Sequence, residues 1–189
     1  MEYRAIVMGC SAGGFDALET VLRKIDRDFQ IPIAVVQHVS PDFQNNIACL
    51  LNSRVDINIK EAEEKEKLCR GNVYIAPRDY HLLVEDDETF SLSMEPHVNF
   101  SRPSVDPLFE SAADVYRESL IGIILTGSNH DGSEGLKRIK KLGGMSIVQN
   151  PDTAYAFEMP RAAIETAGAD YILELDEVSE FLNGIVKGR

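Results

Sequence analysis

No stretch of the chain approaches the roughly 18 consecutive apolar residues of a membrane-spanning helix, so direct membrane insertion is not expected. The N-terminal MEYRAIVMG has no basic segment followed by a long apolar one, so no signal peptide is visible. Glu2 stands where N-myristoylation requires glycine. Cysteine is scarce: Cys10, Cys49 and Cys69 form no CxxC pair, which leaves zinc and thioredoxin-like chemistry unsupported. Their odd number and irregular spacing suit a reducing cytoplasm. Positive charge is short, with 19 Lys and Arg against 31 Asp and Glu and a net charge of −12. Nucleic-acid backbones and anionic lipid both need clustered cations, so neither is an expected partner. What remains is an ordinary globular composition, 44% hydrophobic and 26% charged. Over 189 residues this predicts one domain, 1–189, with a core that needs no disulfide or metal.

The class is set by the first thirty-seven residues. Arg4 to Met8 is a short apolar run ending at Gly9, followed by a Gly-rich turn. Phe15, Leu18, Val21, Leu22 and Ile25 then recur at helical spacing, and Ile31 to Val36 is a second β-rich run. Strand, helix and strand in this compass make a βαβ unit and imply a parallel sheet. The pattern returns at Ile121 to Leu125, an apolar run as expected of a strand covered on both faces. A helix over Ser133 to Leu142, a strand over Met145 to Val148, a helix near Pro160 to Thr166, a strand over Tyr171 to Leu173 and a helix over Val178 to Val186 follow. The middle differs. Asn72 to Ala76, Tyr80 to Glu85 and Thr89 to Met94 alternate and are joined by short turns, so this part is expected to be antiparallel. Glu61 to Lys67 reads as a solvated charged loop, and Asn99 to Pro107 as a long loop. The expected fold is α/β: a doubly wound three-layer α/β/α arrangement with a mostly parallel sheet and an antiparallel hairpin addition.

Sites in open parallel sheets form beyond the carboxyl ends of the strands. Three polar loops occupy such ends: Gly9-Cys10-Ser11-Ala12-Gly13-Gly14, Gln37-His38, and Thr126-Gly127-Ser128-Asn129-His130-Asp131-Gly132. Gly9 to Gly13 matches G-x-S-x-G, which sets a serine on a sharp strand-to-helix turn beside unpaired N–H groups. The same glycines fit a plain tight turn or a dinucleotide-binding loop. The latter wants an acidic residue at the end of the second strand, where this chain has His38. His38 alone reads as a packed or solvent-facing histidine, and Asp131 alone as the N-cap of the Ser133 helix. Together, Ser11, His38 and Asp131 supply the nucleophile, base and orienting carboxylate that acyl transfer needs. Cys10 is read as a small packing residue. His81 and His97 read as surface positions. One histidine and one carboxylate do not make a metal site, so neither metal nor organic cofactor is expected.

Six segments in order, GCSAGG, QH, VYIAPRDYHLLVE, RPSVDPLF, TGSNHDG and FEMPRAA, resemble the catalytic domain of the CheB-type protein-glutamate methylesterases. The resemblance covers about Ala5 to Leu182. It implies hydrolysis of glutamyl methyl esters on chemoreceptor cytoplasmic helices, with release of methanol and with deamidation of glutamines as a second activity. By position, Ser11 is then the nucleophile, His38 the acid/base and Asp131 its orienter. The backbone amides of Ala12 and Ser128 are the oxyanion donors, and Arg102, Ser104 and Met159 are substrate contacts.

Ala12 stands where such domains usually have threonine, and Ser128-Asn129 where they usually have Met-Gly. Asn129 is expected to tolerate the positive φ that a glycine would take. His130 is expected to stay outside the relay, because adjacent side chains in a turn point apart. Many such domains follow a receiver domain. Here the first strand begins at once, which implies a chain without that switch, open to a regulator acting in trans. The competing readings are a receptor-binding module without turnover and a nucleotide-binding domain.

Overall fold

The computed structural model of the chain describes residues 2–39 and 46–187. Its frame is a seven-stranded sheet in the order β3-β4-β2-β1-β7-β8-β9. The strands are β1 (Ala5–Cys10), β2 (Ile33–Gln37), β3 (Asn58–Glu61), β4 (Asn72–Ile75), β7 (Leu120–Ile124), β8 (Met145–Gln149) and β9 (Tyr171–Leu173). Every pairing in it is parallel. A separate antiparallel hairpin pairs β5 (His81–Val84) with β6 (Phe90–Ser93). The helices are α1 (Gly14–Arg23), α2 (Ile47–Asn52), α3 (Val105–Tyr116), α4 (Ser133–Lys141), α5 (Glu158–Ala167) and α6 (Leu175–Lys187).

Strand alternation divides the apolar residues between two cores. Ile6, Met8 and Cys10 of β1 and Ile33 and Val35 of β2 face α1, α2 and α6. Ala5 and Val7 of β1 and Ala34 and Val36 of β2 face α3, α4, α5 and the hairpin. Both faces of the central strands are therefore covered, and β1, β2 and β7 read as continuous apolar runs for that reason. On α1, Leu18, Val21 and Leu22 are fully buried. Each such side chain contributes about 1.5–3 kcal/mol relative to exposure.

Three expectations need correction. The Asn72 to Ala76 run is β4, a parallel member of the main sheet between β2 and β3. Among the strands of the described residues only β5 and β6 pair antiparallel. Glu61, expected in a charged loop, ends the edge strand β3, and α2 and β3 have no counterpart in the sequence reading. The long loop before the third helix ends earlier than Pro107, because α3 already begins at Val105.

Topology decides where chemistry can occur. The chain leaves β1 for β2 on one side and returns for β7 on the other, so β1 lies at the switch point. The loops after β2, β1 and β7 carry His38, Ser11 and Asp131, and these three strands are neighbours.

Candidate active site

Ser11 sits half-buried on the turn between β1 and α1. Gly13 takes φ +74° there, a conformation that favours glycine, and the Gly14 N–H closes the turn on the Ser11 carbonyl at 2.8 Å. The turn is tied to the β7 loop, since the Ser11 N–H donates to the Thr126 carbonyl at 2.9 Å and the Thr126 hydroxyl lies 2.8 Å from the Ala12 carbonyl. Gly127 permits the close approach. A Cβ there would stand 2.9 Å from the Ser11 Cβ and 2.3 Å from the Met159 sulfur. The backbone N–H groups of Ala12 and Ser128 have no hydrogen-bond partner among the described residues.

Gln37 joins the serine turn to the histidine. Its side-chain amide donates to the Ser11 carbonyl at 3.0 Å and to the His38 carbonyl at 2.6 Å, while its Oε1 lies 2.8 Å from the Cys10 sulfur. Gln37 has no role among the expectations from sequence. A glutamine at a buried strand end was the available signal, because a buried amide must find partners. Cys10 is fully buried, and burial pushes its thiol far above the ordinary range, so its thiolate is out of reach as a nucleophile.

Asp131 is held at every lone pair. Its Oδ2 accepts from the His38 Nε2 at 2.8 Å and from the Val105 N–H at 2.6 Å. Its Oδ1 accepts from the Ser104 hydroxyl at 2.7 Å, the Asn99 amide at 2.8 Å and the Asp106 N–H at 3.2 Å. The carboxylate thus caps the N-terminus of α3, where a negative charge and an acceptor are both favoured. Asp131 does not cap the Ser133 helix: the residue before that helix is Gly132, and it is the Asp106 carboxylate that accepts from the Gly135 N–H in its first turn, at 2.7 Å. Burial acts to raise the Asp131 carboxyl, but the hydrogen bonds from His38, Val105, Asn99 and Ser104 outweigh it and hold it at about 2. Asp106, beside it, is pushed up to about 6, by burial first and by the Asp131 charge, against hydrogen bonds from Gly135 and Asn99.

The expected substrate contacts fall in two groups. Ser104 and Met159 are closed to a substrate, at 0% and 1% exposure. Ser104 supports Asp131, and the Met159 N–H holds the Gly127 carbonyl at 2.8 Å. Arg102 borders a cleft of about 200 Å³ that also includes His38, Arg78, His97 and Phe100, and its guanidinium donates to the Met94 and Glu95 carbonyls. His81 is not a surface residue. It is 2% exposed, with Nε2 on the Pro96 carbonyl at 3.1 Å and Nδ1 accepting from the Ser104 N–H at 3.2 Å, so it braces the Arg102–Ser104 segment. His130 is exposed and makes no side-chain hydrogen bond to Ser11 or Asp131 among the described residues.

Two features of the site depart from expectation. No hydrogen bond joins Ser11 to His38 among the described residues; the His38 Nδ1 instead lies 3.1 Å from the side-chain nitrogen of Asn129. Asn129 does not take a positive φ. It uses its side chain, whose Oδ1 accepts from the Asp131 N–H at 3.0 Å. Among the described residues no group of three His, Cys, Asp or Glu side chains could hold a metal ion. No helix among them is long and apolar enough to cross a membrane.

The arrangement has close parallels. A Leptospira interrogans protein, provisionally named as a protein-glutamate methylesterase/protein-glutamine glutaminase, is 51% identical over 180 residues, covering 95% of this chain and 93% of that one. A Clostridium acetobutylicum protein-glutamate methylesterase/protein-glutamine glutaminase is 38% identical over 184 residues. That match takes in 97% of this chain but 53% of the Clostridium protein. The crystal structure of the Thermotoga maritima CheB methylesterase catalytic domain superposes with a TM-score of 0.92 at 35% identity, covering 98% of this chain and all of that one. Residues 6–182 match the CheB methylesterase family, and the chain belongs to it.

Proposed function

We propose that this chain is a protein-glutamate methylesterase that hydrolyses glutamyl methyl esters on chemoreceptor cytoplasmic helices through Ser11, His38 and Asp131, with glutamine deamidation as a related activity. The observation that carries the reading is the convergence of three neighbouring strand-end loops, with His38 held 2.8 Å from a buried, ionised Asp131 beside the Ser11 turn.

The geometry supports the following chemistry. The His38 Nε2 faces Asp131, so Nδ1 is the nitrogen left to receive the Ser11 proton. As the Ser11 Oγ–carbonyl carbon bond forms, the carbonyl π electrons move to oxygen. The unpaired N–H groups of Ala12 and Ser128 are available to that oxyanion, a stabilisation typically worth about 3–4 kcal/mol per donor. Collapse of the adduct breaks the bond to the methoxy oxygen. His38 returns its proton to that oxygen, and methanol leaves. Water, deprotonated by His38, then attacks the acyl-serine and frees the glutamate and Ser11. Asp131 stays ionised throughout and compensates the imidazolium.

A binding-only reading is favoured by one observation, the Asn129 amide on the His38 Nδ1. Methanol release from methylated receptor cytoplasmic segments separates the two. Release that disappears in Ser11→Ala is the expected result; receptor binding with no release would favour the alternative. A cytoplasmic setting and a regulator acting in trans complete the proposal, and addition of the candidate regulator to the same assay tests the latter.

A further inference from the structure

Asn129 touches both ends of the His38–Asp131 pair. Its orientation is fixed by chemistry: Oδ1 must face the Asp131 N–H, which only donates, so Nδ2 faces His38. An amide N–H directed at the His38 Nδ1 requires a lone pair there. The ring proton then lies on Nε2, where the Asp131 carboxylate accepts it. The His38 side chain is 9% exposed, and among the described residues Nδ1 has no other partner. This is the nitrogen that must take the Ser11 proton.

We infer that Asn129 is a positioning residue with a restraining effect: its amide fixes the reactive tautomer of His38 and competes with the Ser11 hydroxyl for Nδ1. The inference rests on the esterase reading above. Ser11 becomes nucleophilic when Asn129 yields Nδ1 to it. Asp131 favours the same tautomer from Nε2, on the opposite side of the ring, so the tautomer persists without the Asn129 amide. Loss of the Asn129 amide therefore frees the base more than it loosens it.

Two substitutions act in opposite directions. Asn129→Ala removes the competing donor. Asn129→Asp keeps the acceptor for the Asp131 N–H but puts a carboxylate against Nδ1, which favours the imidazolium and so removes the base. The other charged or titratable groups that face His38 among the described residues are Asp131 and, around the cleft, Arg78, Asp79, His97 and Arg102, with Asp106 behind Asp131. None of them is altered by either change.

The test measures the rate of Ser11 labelling by a fluorophosphonate against pH, with Ser11→Ala as control, together with imidazole 15N NMR of the same proteins. Asn129→Ala is expected to label about two- to tenfold faster at neutral pH, the effect of removing one competing hydrogen bond of ordinary net strength. Its His38 Nδ1 resonance should move toward that of a free acceptor nitrogen. Asn129→Asp is expected to label more slowly, with the acid limb of the profile moved to higher pH by a unit or more. Equal slowing of both variants with an unmoved profile would make Asn129 merely structural and overturn the inference. So would an unchanged Nδ1 resonance in Asn129→Ala. Absence of labelling in wild type and in Asn129→Ala alike would instead sink the esterase reading, and the inference with it.

Discussion

The two ends of the proposed relay are built in opposite ways. At the acid end, Asp131 is buried and accepts hydrogen bonds from His38, Ser104, Asn99 and two N–H groups of α3. At the serine end, among the described residues, the Ser11 hydroxyl has no hydrogen bond and the Ala12 and Ser128 amides have no partner. A carboxylate that only orients can be surrounded by donors, because its charge does not change during the reaction. A nucleophile and an oxyanion hole must keep their capacity free for atoms that arrive later. The contrast accounts for the donors that close on the Asp131 carboxylate behind the histidine.

The contrast can be broken most severely at the serine. Ser11→Ala should fold with an unchanged thermal midpoint and lose methanol release by about 10⁴-fold or more, leaving residual catalysis from the remaining site. Turnover near that of the wild type would refute the proposed role. The histidine comes next. His38→Gln is expected to lose about 10²–10⁴-fold in kcat, the usual value of a positioned general base. His130→Gln should stay close to wild type, because that side chain is exposed and outside the relay. Comparing steady-state rates of the two variants decides the assignment, and equal losses would reject it.

At the acid end the larger structural cost is expected. Asp131→Ala strips the acceptor from Val105, Asp106, Asn99 and Ser104, so urea unfolding should show a loss of about 2–4 kcal/mol besides the loss of activity. A Ser11→Ala protein carries no such cost, and an equally stable Asp131→Ala would remove the distinction between the two ends.

The smallest effect is a pH dependence. Asp131 is held at about 2, so the stability it contributes is present above the ordinary carboxylate range near pH 4 and is lost as pH falls toward 2. Asp106 works in the opposite sense. With its carboxyl raised to about 6, its contribution is full below about pH 4 and declines as pH rises through 6. Urea midpoints at pH 4.5 and 7 should therefore fall with pH by the equivalent of about 1–3 kcal/mol. Asp106→Asn, which keeps an acceptor for the Gly135 N–H, should flatten that decline. An unchanged slope in the variant would remove Asp106 from the account.

What could be read in the sequence was what repeats or punctuates. The βαβ start, the IGIIL strand and the three strand-end loops carry periodicity and glycine, and the sheet places those loops side by side. Strand β4 was assigned to the antiparallel middle because alternation and short turns look alike in both settings. Its neighbour β2 is separated from it in the chain by α2 and β3, and only tertiary pairing reveals that contact. Helix α2 is a single turn and a half, too short for a periodic signal. Ser104 is a substrate contact only by resemblance, and His81 reads as a surface position because a lone polar side chain usually is one. Their burial depends on partners that the chain brings from 27 and 23 residues away, Asp131 for Ser104 and Ser104 for His81. Asn129 was read through its backbone, whereas its contribution lies in the side chain.

The cap that Asp131 places on α3 has a consequence for descent. A lineage that abandoned the reaction could exchange Ser11 or His38 at little structural cost, while any change at Asp131 would disturb a helix that packs beneath the sheet. Selection for folding alone would then preserve the aspartate after selection for turnover had ended. Among homologues, a retained Asp131 is therefore poor testimony of an active enzyme, and the pairing of serine with histidine is the better witness.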